Sequence, residues 1–186
     1  MKEKTITIDL SLKSLDAAIM EIGKLANDID EALAATAEGL TQFGEDMAEA
    51  HFRSLASTMI AGDGPDIGFG SIYDEEERTG QVMAFGEEAA FYEYGTGYVG
   101  MNAPHPGIVS GESTPPIVFS NGRAYTQYDT YNHGPDGWYY FDWEDGKYRH
   151  TVGMVGLAYM YDTYKQLREL APGWMELEME KRGVME

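Results

Sequence analysis

The chain has 186 residues, 32 Asp or Glu against 13 Lys or Arg, and no cysteine, which excludes a disulfide scaffold, a thiol nucleophile and a cysteine zinc site. A formal charge of −19 argues against grasping nucleic-acid phosphates or an anionic membrane surface, since both need clustered Lys and Arg. With 43% hydrophobic residues, thirteen tyrosines, seven phenylalanines and three tryptophans, the chain has the apolar content for one folded domain over residues 1–186 and is not a disordered polymer.

Residues 1–10 contain no apolar h-region, so no secretory signal is expected. The longest near-apolar run, residues 152–160, is well short of a membrane span. The expectation is a soluble protein made in the cytoplasm.

Three parts follow in chain order: a strand and long helix over 1–61, a body of strands and loops over 62–156, and a helical end over 157–186. Ile6, Ile8 and Leu10 alternate with Thr5, Thr7 and Asp9, the period of a half-buried strand. Ser11 is a candidate N-cap. Leu12, Leu15, Ile19, Ile22, Ala26, Ile29 and Leu33 then step by three and four, three heptads of an a/d seam. The pattern weakens through Leu40, Phe43, Met47 and Ala50, with Thr36 as a defect. An unbroken helix to Ala61 would be roughly 75 Å long. Gly23, Gly39 and Gly44 weaken it, with a bend expected near Gly39. Either the seam (Leu15, Ile19, Ile22, Ile29, Leu33) covers its own sheet, or it also packs on a neighbouring subunit.

Residues 61–80 read as a loop rich in glycine and carboxylates. Asp63, Asp66 and residues 74–77 lack the spacing of a helix–loop–helix calcium site, so a solvated acidic loop is expected and no metal. Residues 81–85 suit a strand. Two hairpins follow. One joins Ile117-Val118-Phe119-Ser120 to Arg123-Ala124-Tyr125-Thr126 across Asn121-Gly122, and the other turns at Asp145-Gly146. A two-residue turn at Asp145-Gly146 predicts Glu144 opposite Lys147, Trp143 opposite Tyr148 and Asp142 opposite Arg149. One face then gathers charges and the other Tyr139, Phe141, Trp143, Tyr148 and Val152; Trp138, Phe141, Trp143 and Tyr148 are the expected hairpin core. Residues 157–170 read as a helix, and Pro172 as the first turn of a last short one.

Candidate chemistry is sparse. His51, His105, His133 and His150 show no metal-ligand spacing, and His150 is expected to pack opposite Phe141. Glu87, Glu88, Glu93, Asp142 and Asp145 supply carboxylates for glycoside hydrolysis, but chance pairs are expected in so acidic a chain. There is no G-x-S-x-G, and Gly95-Thr96-Gly97 lacks the third glycine of a dinucleotide loop. No catalytic residue, metal or cofactor is expected. The tyrosines fit a subunit interface or a carbohydrate-reading face.

One segment is distinctive: Ala89-Ala90-Phe91-Tyr92-Glu93-Tyr94-Gly95-Thr96-Gly97. Gly95 and Gly97 permit positive φ, Thr96 can bond the local backbone, and Glu93 is a carboxylate aimed at turn amides or a hydroxyl. The segment resembles the A-x-Y-x-E-[FY]-G-T signature of the tail-component family of long-tailed bacteriophages, the small head–tail joining or tail-completion proteins. Gly68-Phe69-Gly70-Ser71-Ile72, Gly137-Trp138 and Thr151-Val152-Gly153 are similar to further family features in the same order. The sequence departs where Ala158-Tyr159-Met160 replaces a Pro-Phe and where Ile67 replaces a Thr, and residues 98–136 form an insertion relative to a minimal member.

The resemblance implies an α+β fold, with a long N-terminal helix on a twisted, mostly antiparallel sheet and a C-terminal helix. It implies a virion protein of the phage neck, at the head–tail junction. Copies would form a closed ring of six or twelve that contacts other neck, connector and tail-tube proteins and passes DNA without specific binding. Tyr92, Glu93, Tyr94, Gly95, Thr96 and Gly97 are the signature-turn and assembly candidates. The competing reading is an aromatic-rich carbohydrate-binding module.

Overall fold

The structure, a computed structural model, describes residues 12–59, 67–86, 88–107, 134–142 and 145–185. The opening strand, the acidic stretch 61–66, the hairpin over 117–126, His133, Trp143 and Glu144 lie outside the described residues. The fold is α+β: a long N-terminal helix, a C-terminal helix and small antiparallel ladders.

Helix α1 spans Leu12–Met59, 48 residues without interruption at Gly23, Gly39 or Gly44. Strands β1 (Gly68–Asp74) and β2 (Thr79–Phe85) follow, then α2 (Ala89–Tyr94), β3 (Gly95–Thr96) and α3 (Gly97–Asn102). A 3₁₀ turn at Gly134–Asp136 leads to β4 (Trp138–Asp142), β5 (Lys147–Thr151), β6 (Met154–Val155) and α4 (Tyr159–Lys181). Among the described residues the strands pair as three two-stranded ladders, β1 with β2, β3 with β6 and β4 with β5.

The described residues pack as two compact units. One draws on Met1–Glu45, Ser71–Val82 and Gln166–Glu186, the other on Asp46–Gly70 and Met83–Lys165. In the first unit, Trp174 of α4 lies against Gly39 of α1. A Cβ at Gly39 would come within 2.3 Å of the indole. The same indole stacks near Phe43, ring centroids 5.9 Å apart. Gly44 likewise makes room for Leu167 and Val82. Gly39 and Gly44 are therefore contact surfaces, and the close approach they allow offsets their intrinsic helix cost of about 1 kcal/mol each, whereas Gly23 has open space beside it. In the second unit the core is Phe52, Ala56, Leu157 and Tyr159, with Phe69, Ala84 and Tyr92 packed against it. Phe52 meets Tyr159 edge-on at 5.1 Å and Tyr92 at 5.7 Å, the favoured aromatic geometry.

Four sequence expectations are corrected. Residues 68–80, read as loop, form β1 and the start of β2. The acidic run is their turn, where the Asp74 side chain accepts the backbone N–H groups of Glu76 and Glu77 at 2.9 Å. Helix α4 does not restart at Pro172 but runs through it. Pro172 cannot donate to the preceding turn, yet helix continuation sets Trp174 on Gly39 and Phe43.

The second hairpin is shifted by two residues. Asp142 opposes Lys147, Phe141 opposes Tyr148, Tyr140 opposes Arg149 and Tyr139 opposes His150. The loop is four residues long because Gly146 N–H closes on Asp142 O at 2.9 Å. Asp145 turns its carboxylate back to Lys147 N–H (3.1 Å) and Arg149 Nη2 (2.6 Å). A two-residue slip keeps each side chain on its own face, so Asp142, Lys147 and Arg149 still gather on one face, with Trp138 and Tyr140 beside them, and Tyr139, Phe141, Tyr148 and His150 share the other. The hairpin aromatics form no core, however. Trp138 and Phe141 are half-buried, whereas Tyr148 is 75% and Tyr139 72% exposed.

The seam is also not covered by its own chain among the described residues. Leu15, Ile19, Ile22, Ile29 and Leu33 are all exposed. The buried positions of α1 are Ala18, Ala32, Thr36, Thr41, Gly44, Ala48, Phe52 and Ala56. From Ala32 these mostly follow the four-residue ridge along which helices pack, a row that meets the continued heptad seam at Thr36 and leaves Leu15 to Leu33 outside.

Pro172→Ala tests the helix correction. Restoring the missing N–H in an already continuous helix is expected to raise stability by about 1–3 kcal/mol, read by chemical denaturation. An unchanged or lower stability would show that the proline is accommodated by a local distortion that alanine cannot use.

Candidate functional site

The signature segment closes α2, crosses the sheet as β3 and opens α3. Gly95 pairs with Val155 and Thr96 with Met154. The backbone is locked at both ends of this short ladder. Leu157 N–H donates to Tyr92 O at 2.6 Å and Ala158 N–H to Glu93 O at 3.1 Å. Val99 N–H donates to Val152 O at 3.2 Å.

Glycine is required at two of these positions for separate reasons. Gly97 has φ +62°, a region costly for residues with a Cβ. A Cβ there would also stand 2.6 Å from the Trp138 indole and 2.8 Å from Val152 O. Gly95, at φ +81°, lies so close to β6 that a Cβ would meet Gly156 N and Met154 O, each at 2.6 Å.

Glu93 is the centre of the site and is 3% exposed. Its Oε2 accepts Met160 N–H at 2.8 Å, and its Oε1 accepts Tyr161 N–H at 3.0 Å. These are amides of the first turn of α4, which otherwise have no intrahelical acceptor. A carboxylate there also lies at the positive end of the helix dipole. Oε1 takes a third bond, from His105 Nε2 at 2.9 Å. Gly107 N–H donates to His105 Nδ1 at 3.1 Å. These partners assign the imidazole the Nε2–H tautomer, an acceptor at one nitrogen and a donor at the other. The His105 ring is 4.6 Å from that of Tyr94 and 5.2 Å from that of Tyr161.

The sequence reading placed Glu93 against turn amides or a hydroxyl. The amides are those of α4, 67 and 68 residues downstream. His105 carried no role in the sequence reading. Its signal was its setting in Pro104-His105-Pro106, where two prolines fix the backbone on either side of the one titratable group. A second long-range pair is equally invisible in the sequence. Thr163 Oγ1 donates to Tyr159 O at 2.8 Å, and its oxygen faces His51 Nδ1 at 2.9 Å, 112 residues away in sequence.

The chemistry this arrangement offers is positional. Glu93, Tyr94, Gly95 and Gly97 are buried inside their own unit, with Tyr92 and Thr96 half-buried. They shape the unit from within and do not form an exposed patch. Trp138 touches the turn through Gly97, Phe141 and Tyr148 pair at 5.2 Å, and Trp143 is outside the described residues. His150 lies beside Tyr139 and bonds Asp136 O through Nε2 at 2.7 Å. Among the described residues the partners of Glu93 are N–H donors and include no second carboxylate; Glu87 lies outside the described residues. No group of three or more metal-ligating side chains occurs among the described residues. No described helix is long and apolar enough to cross a membrane.

Tyr159 seals the site from the core side. It is 1% exposed, and its hydroxyl donates to Ala89 O at 3.1 Å. Burial, and then the charges of Glu93 and Tyr94, push its pKa well above the usual phenol value. Compared with known proteins, the chain matches no family model, no curated protein and no solved structure.

Two outcomes follow from this geometry. In Glu93→Gln the amide keeps one acceptor oxygen but turns an NH₂ toward a helix N–H, leaving a buried donor without an acceptor. The expected loss is about 1–3 kcal/mol in chemical denaturation. A loss below measurement error would show that the carboxylate does not hold the start of α4. The second outcome concerns pH. The folded state holds the Tyr159 phenol neutral, so its contribution is complete below the unfolded value of about 10 and is lost as pH rises toward the folded value. The wild type should lose up to about 1.4 kcal/mol per pH unit there, and Tyr159→Phe should flatten that slope in pH-dependent unfolding. Tyr92, also raised chiefly by burial, leaves a residual slope of the same sign. An identical slope in the variant would place the alkaline transition elsewhere.

Proposed function

We propose that the chain is a structural protein of the neck of a long-tailed phage, joining head to tail or completing the tail end that docks on the head. The observation that carries the reading is the use made of the signature carboxylate. Glu93 is spent on two helix amides and one imidazole inside the fold, as befits a motif that sets architecture and carries no turnover. The ladder of Gly95 and Thr96 on β6 fixes where the chain leaves the sheet. In this reading copies close a ring of six or twelve through a head-to-tail contact whose rotation closes. The ring meets other neck, connector and tail-tube proteins. The charge of −19 suits a conduit through which DNA passes without being held.

A second reading, a carbohydrate-binding module, draws on the exposed pair Tyr139 and Tyr148 on the β4–β5 face, since flat amphipathic rings stack on sugars.

The test is Gly97→Val in a phage that carries this gene, because a β-branched residue at φ +62° misplaces the turn. Full heads and complete tails lying unjoined in the lysate, with antibody label at the head–tail junction of wild-type virions, are the expected result. Normal virions from the variant, or label elsewhere, would overturn the neck reading. A mobility shift with glycans that Tyr139→Ala or Tyr148→Ala abolishes would establish the module.

A further inference from the structure

The exposed seam of α1 points to a partner. Leu15, Ile19, Ile22, Ile29 and Leu33 are between 38% and 59% exposed, and Ala26 lies among them. Isolated exposed apolar residues are ordinary, but a continuous stripe is not. This stripe has the 3.5-residue repeat that lets one helix seat its side chains in the gaps of another. It spans about 27 Å from Leu15 to Leu33 at 1.5 Å per residue. No charged residue interrupts its a and d positions. Inward burial of α1 uses a neighbouring row, Ala18 and Ala32, so the helix can hold its own unit and leave the seam free.

The charges beside the seam select the occupant. Asp16 and Asp30 occupy the same flank, each one residue beyond a seam position. Arg78 is bonded to Asp30 and 39% exposed at its side chain. If two copies of the seam are laid antiparallel, with Leu15 opposite Leu33, this flank of one helix faces the same flank of the other. Asp16 of each copy then lies beside Asp30 and the Arg78 guanidinium of its partner, which has further donors to give. Parallel pairing places the uncharged Leu25 there instead. Only a partner with the same spacing of seam and acid meets this arrangement twice, as a two-fold axis requires.

We infer that the N-terminal part of α1 is a homotypic interface, an antiparallel pairing of the Leu15–Leu33 seam with the same seam of a second copy of this chain, flanked by Asp16 and Arg78. The contact is isologous and separate from any head-to-tail contact that closes a ring. It does not rest on the neck reading, and either can fail alone.

The absence of native cysteine makes the test clean. Full-length Leu15→Cys and Leu33→Cys chains are oxidised separately and mixed. The expected result is a covalent dimer from the mixture only, abolished by adding Ile22→Asp to both. Wild-type protein should double in mass across the micromolar range in sedimentation equilibrium, and Arg78→Glu should weaken that association several-fold. Three results would overturn the inference: monomer mass at every concentration, cross-links within each single variant and none between them, or a monomeric Ile22→Asp chain that melts lower than wild type diluted to the monomer, which would mean that the seam is covered within one chain. If Ile22→Asp does not fold, the cross-linking pattern decides by itself.

Discussion

The second unit depends on one buried carboxylate. Glu93 reaches the open end of α4 and the His105 ring at once. It thereby ties the end of α2, the proline-flanked histidine loop and the start of the C-terminal helix to one point. Burying such a group is expensive unless its oxygens are matched by donors, and here they are matched by three. The Tyr94, Tyr159 and Tyr161 rings around it exclude water, which strengthens each bond and makes loss of any donor costly. The signature turn is therefore a joint. Its glycines let β3 and β6 approach more closely than any side chain would permit.

The first unit is held differently. It has no comparable polar centre among the described residues and relies on surface fit, with the Trp174 indole on Gly39 and Leu167 and Val82 on Gly44. Polar groups work at its margins, where Ser71 donates to Glu45 at 2.7 Å and Arg78 pairs with Asp30. Exposed ion pairs of this kind add little to stability, and their value is in orientation. Together the two units show how a chain with so large an acid excess still folds. Among the described residues the buried carboxylate Glu93 has each of its oxygens matched by donors, and the exposed large apolar groups include those of the α1 seam and the β4–β5 face.

What the sequence determined by itself is what local spacing and local chemistry determine. The α+β class, the long helix and its seam, the strand near residue 81, the gathering of Asp142, Lys147 and Arg149 on one face of the second hairpin, and the need for glycine at positions 95 and 97 follow from periods of two and 3.5 and from backbone sterics over a few neighbours. The tertiary structure decided whatever depends on residues far apart in the chain. Leu15 and Ala32 are both good apolar helix residues, and only packing settles that the second is buried and the first is not. The hairpin register shifted because the Asp145 carboxylate preferred Lys147 N–H and Arg149 to a tight turn, a competition that turn propensity does not weigh. Pro172 looked like a helix start, yet contacts of Trp174 with residues more than 130 positions earlier carried the helix through it. Glu93 was legible as a carboxylate in need of donors. That the donors belong to α4 and to His105 was not, because long-range hydrogen bonds leave no periodic trace in a sequence.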